Sequence, residues 1–347
     1  MTLRERIEAF SELGEILRNS LYGMNEKYSV ALANLINGQQ HKNPWFTPEN
    51  VRLAVKAIAD ELTFDHLTKW TNSYPALDSV RNPLNVGVIM AGNIPLAGFH
   101  DFISVLISGN NILAKTSTKD AELIVYIADL LCSINPKFEK SVSFTDPVLS
   151  GFDAVIASGS DNTSRYFEYY SGKYPSIIRK NRNSIAIIEG NEQSAELEAL
   201  GTDIFSYFGM GCRNVSKIYV PENHNFQTMI SNWSLFSDII SHNKYANNYD
   251  FNKAVYLVNR ENFIDTGYML LKKNSALSSP VAVLYYEHYN SPDYLTQQIG
   301  IMKERIQCVV GRSHIPFGSS QLPHLWDYAD GIDTIDFLLK KHITGIS

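Results

Sequence analysis

Cysteine is scarce in this chain: three residues in 347, Cys132, Cys212 and Cys308, stand far apart and form no Cys-x-x-Cys pair. An odd, scattered set excludes a disulfide framework and argues against a zinc site. It fits a reducing compartment, so a cytoplasmic protein is expected. No run of roughly 18 apolar residues occurs, so no membrane span is expected. Basic excess is missing as well, with 30 Lys+Arg against 36 Asp+Glu and a net charge of -6. The densest basic patch, Arg179-Lys180-Asn181-Arg182, is short, which argues against nucleic acid as a partner. Also absent are a complete Gly-x-Gly-x-x-Gly fingerprint, a Walker loop, a Gly-x-Ser-x-Gly elbow and any histidine pair at metal-ligand spacing. Those gaps remove several enzyme classes, and no metal is expected.

What remains is an ordinary globular composition, 44% hydrophobic and 19% charged, in a chain long enough for two lobes. Leu3, Ile7, Phe10, Leu13 and Leu17 recur at helical spacing among Glu5, Glu8, Glu12 and Glu15, which predicts an amphipathic helix and not a signal peptide. Thr47 and Pro48 read as the N-cap and first position of a further helix. After the loop 79–83, strands at 86–90, 112–114, 154–157 and 185–188 alternate with helices at 96–108, 119–134 and 162–170. Such alternation predicts α/β architecture with a parallel, doubly wound sheet. A helix over 194–208 leads to Cys212, and strands follow at 217–220, 254–258, 281–286 and 306–310. The expected division is a helical flank 1–78, a first α/β domain 79–190 and a second α/β domain 191–318, with 319–347 returning to the first.

Open α/β sheets hold ligands beyond the carboxyl ends of their strands. Two loops are composed for that, Ala91-Gly92-Asn93-Ile94-Pro95 and Ser158-Gly159-Ser160-Asp161, each before a helix whose free N–H groups favour an anion. Asn93 offers an amide that could stabilise an oxyanion, although such loops are commonly plain turns. Lys115-Thr116-Ser117-Thr118 gathers donors suited to a phosphate or ribose, or forms a solvated strand end. Cys212 lies in Gly209-Met210-Gly211-Cys212-Arg213, where small neighbours permit close approach and Arg213 favours a thiolate. A buried small hydrophobe is the commoner fate of a cysteine, and Cys132 and Cys308 are read that way. His100-Asp101 and Glu287-His288 come nearest to acid/base pairs and are read as satisfied structural residues.

Taken in order, these segments resemble the aldehyde dehydrogenase superfamily, and most of all its short acyl-CoA reductase branch, the kind that supplies fatty aldehyde in bacterial bioluminescence. Ala91-Gly92-Asn93-Ile94-Pro95-Leu96 is similar to the superfamily's Pro-Trp-Asn-Phe-Pro-Leu. Ser108-Gly109-Asn110 through Lys115-Thr116-Ser117-Thr118 is similar to Ala-Gly-Asn leading to Lys-Pro-Ser-Glu. Ser158-Gly159-Ser160 resembles Thr-Gly-Ser, Gly209-Met210-Gly211-Cys212 resembles Gly-Gln-x-Cys, and Pro316-Phe317-Gly318 resembles the Pro-Phe-Gly near the C-terminus. The flanks 43–50 and 327–331 look like the reductase branch itself.

The resemblance implies an aldehyde-dehydrogenase-like fold with a nicotinamide-cofactor domain and a catalytic domain. It implies Cys212 as nucleophile, Asn93 in the oxyanion hole, and Lys115, Thr116, Ser117, Thr118, Gly159, Ser160, Pro316 and Phe317 around the cofactor. Ile177 or Ile178 stands where the superfamily has its water-activating glutamate, which argues against hydrolysis of an acyl-enzyme. Thr118 replaces the acid that holds a ribose 2′-hydroxyl, which favours NADPH over NADH. The expected activity is NADPH-dependent reduction of a fatty acyl-CoA thioester to the aldehyde through a thioacyl-cysteine. Alternatives are acyl phosphate or acyl-carrier protein as donor, or a non-catalytic acyl-binding subunit. A homodimer is implied by the resemblance alone.

Overall fold

Thr2 and Glu5 cap helix α1 (Leu3–Leu21) reciprocally, each side chain bonding the other's main-chain N–H, in a computed structural model that describes residues 1–79, 82–145, 149–159 and 174–344. Capping satisfies donors that the first turn leaves without partners. Phe10, Leu13 and Leu17 of α1 are fully buried. Helices α2 (Glu26–Lys42), α3 (Pro48–Glu61) and α4 (Phe64–Asn72) follow. Thr47 caps α3, with Pro48 at its first position, as expected. Among the described residues no helix is long and apolar enough to cross a membrane.

The chain divides into two units, Met1–Lys180 with His324–Ser347, and Asn181–Pro323. In the first, β1 (Asn85–Ile89), β2 (Asn111–Lys115), β3 (Val142–Phe144), β4 (Ala154–Ser158) and β5 (Ser176–Arg179) form a wholly parallel sheet in the order β3-β2-β1-β4-β5. Helices α5 (Phe99–Ile107) and α6 (Ala121–Ile134) are the crossovers from β1 to β2 and from β2 to β3. One core joins α1, α3, Val86 and Val88 of β1, Phe102 and Ile103 of α5, and Leu338 of the C-terminal helix Thr334–Thr344. Each such side chain contributes about 1.5–3 kcal/mol through burial. Arg179 ties the unit together: its guanidinium pairs with both Asp101 oxygens (3.0 and 2.5 Å), and also donates to Ala329 O and Thr334 Oγ1.

The second unit carries β6 (Asn183–Ile187), β7 (Val215–Pro221), β8 (Ile264–Asp265), β9 (Leu270–Lys273), β10 (Val283–Tyr289) and β11 (Ile306–Val310), ordered β11-β6-β7-β10-β9-β8 and parallel except for β8. Two strand readings change here. The strand expected at 185–188 joins this second sheet, between β11 and β7, and not the first alternation. The strand expected at 254–258 is the end of a helix, Asn243–Val258. Tyr245, Tyr249, Asn252 and Tyr256 are its buried residues, a helical spacing, whereas Leu257 and Val258 are 60% and 82% exposed. A short apolar run cannot by itself separate a strand from a helix end.

Candidate active site

In the first sheet the chain leaves β1 toward β2 and later returns to the other side of β1 as β4, so the loops after β1 and β4 diverge and open a crevice beyond the strand ends. Ile89 is in register with Lys115 on one side and Ala157 on the other. Asn93, the segment 115–118 and Gly159 therefore gather at one end of this sheet. Asn93 and Thr118 are exposed, and Lys115, Thr116, Ser117 and Gly159 are half-buried. Ser160 and the helix expected at 162–170 lie outside the described residues.

The β1 loop ends on Leu96, whose φ of 58° is left-handed and costs a residue with a side chain roughly 1–2 kcal/mol. Its side chain is buried in the core, and its N–H donates to Asp120 Oδ2 at 2.7 Å. Asp120 itself is 5% exposed, and its Oδ1 is buried with no hydrogen-bond partner. Burial pushes this carboxyl up from 3.8 to about 8, against the lowering effect of the Leu96 N–H. The β1 and β2 loops also touch at Gly92, where an added Cβ would lie 2.3 Å from Ser117 Oγ and 3.6 Å from Asp120 Cβ. Asp120 escapes a sequence reading. An aspartate just before a helical run suggests an N-cap, yet this side chain makes no cap bond and reaches the neighbouring loop instead.

In the second unit the helix Ser194–Phe205 ends in a tight reversal. Tyr207, Phe208 and Gly209 take successive left-handed conformations, φ 52°, 57° and 75°. Cys212 follows and is exposed, whereas Cys132 is half-buried and Cys308 buried. Buried Asn214 builds the turn: its Oδ1 accepts Gly211 N–H at 2.8 Å, and its Nδ2 donates to Ser206 O at 2.8 Å and Asp203 O at 3.1 Å. Ser184 Oγ, from β6, donates to Cys212 O at 2.9 Å and accepts Cys308 N–H at 3.2 Å. The main chain at Cys212 is thus pinned while the residue stays accessible, which suits a nucleophile.

Arg213 Nη1 donates to Ser320 O at 3.3 Å. Asp203 holds that same loop, accepting Gly318 N–H at 2.6 Å and Ser320 N–H at 2.9 Å. Burial pushes the Asp203 carboxyl up despite these bonds. Of the two residues predicted there, Pro316 is exposed and Phe317 packs against the second unit's core. Ser184 and Asp203 escape sequence reading because their partners lie in other segments; for Asn214 only the Gly-x-x-Asn spacing from Gly211 hints at a turn. Each member of the candidate acid/base pairs has a partner elsewhere in the fold. Asp101 belongs to Arg179, His100 Nε2 lies 2.8 Å from Leu325 O, Glu287 pairs with buried Lys217 at 2.6 Å, and His288 Nδ1 lies 3.1 Å from Pro221 O.

The profile of the acyl-CoA reductase (LuxC) family matches residues 27–231, a span containing Asn93, Lys115, Asp120 and Cys212. The long-chain acyl-protein thioester reductase of Aliivibrio fischeri is 23% identical over 154 residues, 40% of this chain and 32% of that protein's length. Among solved structures, aldehyde dehydrogenase 21 from Physcomitrella patens, in complex with succinate, is similar with a TM-score of 0.64, 11% identity, and coverage of 99% of this chain and 85% of that one. The NAD+ complex of an aldehyde dehydrogenase from Mycobacterium tuberculosis gives 0.59, 13%, 83% and 70%. At these identities the structural likeness establishes the fold: aldehyde-dehydrogenase-like α/β, with helices at the N-terminus.

Proposed function

The chain belongs to the acyl-CoA reductase (LuxC) family, and from that premise we propose that it reduces a fatty acyl thioester, acyl-CoA first of all, to the aldehyde through Cys212 with NADPH as reductant. The observation that carries this reading is an exposed cysteine on a turn pinned by Asn214 and Ser184. Its thiolate attacks the thioester carbonyl carbon, the bond from Sγ to carbon forms, and the carrier leaves as its own thiolate. Asn93 and the main-chain N–H of Cys212 are the groups suited to stabilise the tetrahedral oxyanion. Reduction of the thioacyl group leaves an alkoxide on the carbon bonded to Sγ; as its C=O re-forms the Sγ–carbon bond breaks, releasing the aldehyde and restoring the thiolate.

The residues of the first unit fit a nicotinamide dinucleotide. The crevice between the β1 and β4 loops, with Lys115, Thr116 and Ser117 on one flank and Gly159 on the other, has the placement and the donors that a ribose and phosphates need. A nicotinamide cofactor held there would supply hydride. Thr118 carries no charge to repel a 2′-phosphate, which favours NADPH. Residues 176–179 are Ser-Ile-Ile-Arg and bring no carboxylate to activate water, which favours reduction over hydrolysis. In this reading the first unit binds cofactor, the second carries the nucleophile, and the protein works in the cytoplasm as a homodimer.

An acyl-protein donor is the second reading, favoured by the name of the Aliivibrio fischeri relative. Acyl-CoA-dependent NADPH oxidation, measured across chain lengths together with aldehyde formation and repeated with acyl-carrier protein and acyl phosphate, separates the donors. Normal turnover by Cys212→Ala would refute the mechanism. Failure to bind any nicotinamide would leave an acyl-binding subunit in its place.

A further inference from the structure

Sequence spacing gives no metal-ligand pair, yet three candidate ligands that the functional reading does not use meet within the first unit. Glu61 ends α3, His66 lies in the first turn of α4, and His324 opens the C-terminal segment of the same unit. Glu61 Oε1 lies 2.9 Å from His324 Nδ1, and Oε2 lies 3.3 Å from His66 Nδ1. The three ligand atoms all fall within 4.8 Å of one another. The His66 approach lacks hydrogen-bond geometry, so its Nδ1 is a buried nitrogen with no hydrogen-bond partner. A carboxylate that merely bridged two imidazoles would satisfy both nitrogens.

The groups are also held in place. His324 stacks on Trp326 with ring centroids 4.7 Å apart and planes inclined by 22°, and His66 meets both rings edge-on at 5.8 Å. Leu325 N–H donates to Glu61 Oε2 at 3.3 Å, and His324 N–H donates to Asp327 Oδ2 at 3.0 Å. His66 and His324 are 36% and 49% exposed and Glu61 17%, so an ion can enter from solvent. Lys69, above the Trp326 ring at 3.8 Å, is the nearby cation that opposes metal entry.

We infer that Glu61, His66 and His324 form a site for a borderline divalent transition-metal ion such as Zn2+, clipping the C-terminal segment to the ends of α3 and α4. Two imidazoles with one carboxylate suit Zn2+, Co2+ or Ni2+ and disfavour Ca2+ and Mg2+, which want oxygen alone. With bonds of about 2.0–2.2 Å, the widest ligand pair must close by roughly an ångström, within reach of side-chain rotation, and a water completes four-coordination. The ligands stand 5 and 258 residues apart, which is why no spacing motif announces them. Ion binding to the folded chain alone raises its stability by mass action.

The test uses tag-free full-length protein stripped with chelator and titrated with Co2+ as a spectroscopic probe. The expected result is one Co2+ per chain, a visible ligand-field band displaced by Zn2+, and an unfolding midpoint that rises with Co2+. His66→Ala and His324→Ala, both at accessible rings, should weaken binding by more than about 100-fold, beyond what removing an outer-shell partner causes. Glu61→Gln keeps the shape and should do the same, with circular dichroism verifying the fold of each variant. No band in the wild type overturns the site. So does a band that survives all three substitutions, as cobalt on Cys212 would. Neither outcome depends on reductase activity.

Discussion

Asp120 and Leu96, 24 residues apart, are joined by a 2.7 Å hydrogen bond that latches the β1 loop to the start of α6. The carboxyl accepts from a residue in a left-handed conformation, and its second oxygen faces no partner. The latch lies three residues from Asn93, so a buried acid from another segment helps to set the loop proposed to hold an oxyanion.

The Asp120 carboxyl carries a pH dependence whose sign follows from its pKa, raised from 3.8 to about 8 by burial. Between those values the folded chain keeps a proton that the unfolded chain releases. Stability therefore falls as pH rises from about 4 to about 8, by at most about 1.4 kcal/mol per pH unit from this group, and levels off above. Asp120→Asn, which mimics the protonated form, should flatten that slope in urea unfolding at pH 6 to 9. Asp120→Ala leaves the Leu96 N–H without its acceptor and should cost about 1–3 kcal/mol. A wild-type slope retained by Asp120→Asn would sink this account.

Gly92 permits the close approach of the β1 and β2 loops. Gly92→Ala places a methyl against Ser117, so one loop must retreat. A loss of about 1–3 kcal/mol is expected from such overpacking, with weaker NADPH binding in a fluorescence titration. Unchanged affinity and melting temperature would show that the loops yield freely.

Asn214 acts on Cys212 through the main chain. Asn214→Ala strips the partner from Gly211 N–H and from the carbonyls of Ser206 and Asp203. Orphaned buried groups cost about 1–3 kcal/mol each. Turnover should drop at least about tenfold while NADPH affinity stays as it was, the pattern of a misplaced nucleophile. Equal losses in both would point instead to general unfolding.

Cys212→Ala should lower turnover by about 10⁴-fold or more, as loss of a nucleophile does, and leave NADPH binding intact. Mass spectrometry after mixing wild type with acyl-CoA without reductant should find the acyl group on this residue. Labelling at Cys132 or Cys308 would move the chemistry elsewhere.

Thr118 is the exposed end of the donor segment. Thr118→Glu adds a charge where a 2′-phosphate is proposed to sit. A penalty of about 1 kcal/mol or more at contact distance should shift the NADPH-to-NADH preference several-fold toward NADH in kcat/KM. No change in that ratio would place the 2′-position away from Thr118.

Strand and helix alternation, the N-cap at Thr47, the exposed glycine loop at Cys212 and the ordered motifs were all legible in the chain, because each depends on neighbours within a few residues. Periodicity and turn chemistry act over that range. The misread helix end at 254–258 shows the limit, since Leu257 and Val258 are apolar yet point to solvent, a choice made by the packing of Tyr249 and Tyr256.

By itself the sequence determined a two-lobed α/β protein with a single cysteine set among glycines, and the types of residue offered by its loops. Tertiary structure alone decided that β6 joins the second sheet, that Asp120 reaches Leu96, that Ser184 holds the Cys212 carbonyl, and that His324 meets Glu61 across 263 residues. Those are pairings between distant segments. Their strength comes from burial and from satisfying main-chain groups after the chain has folded, and no local pattern encodes which partner will arrive.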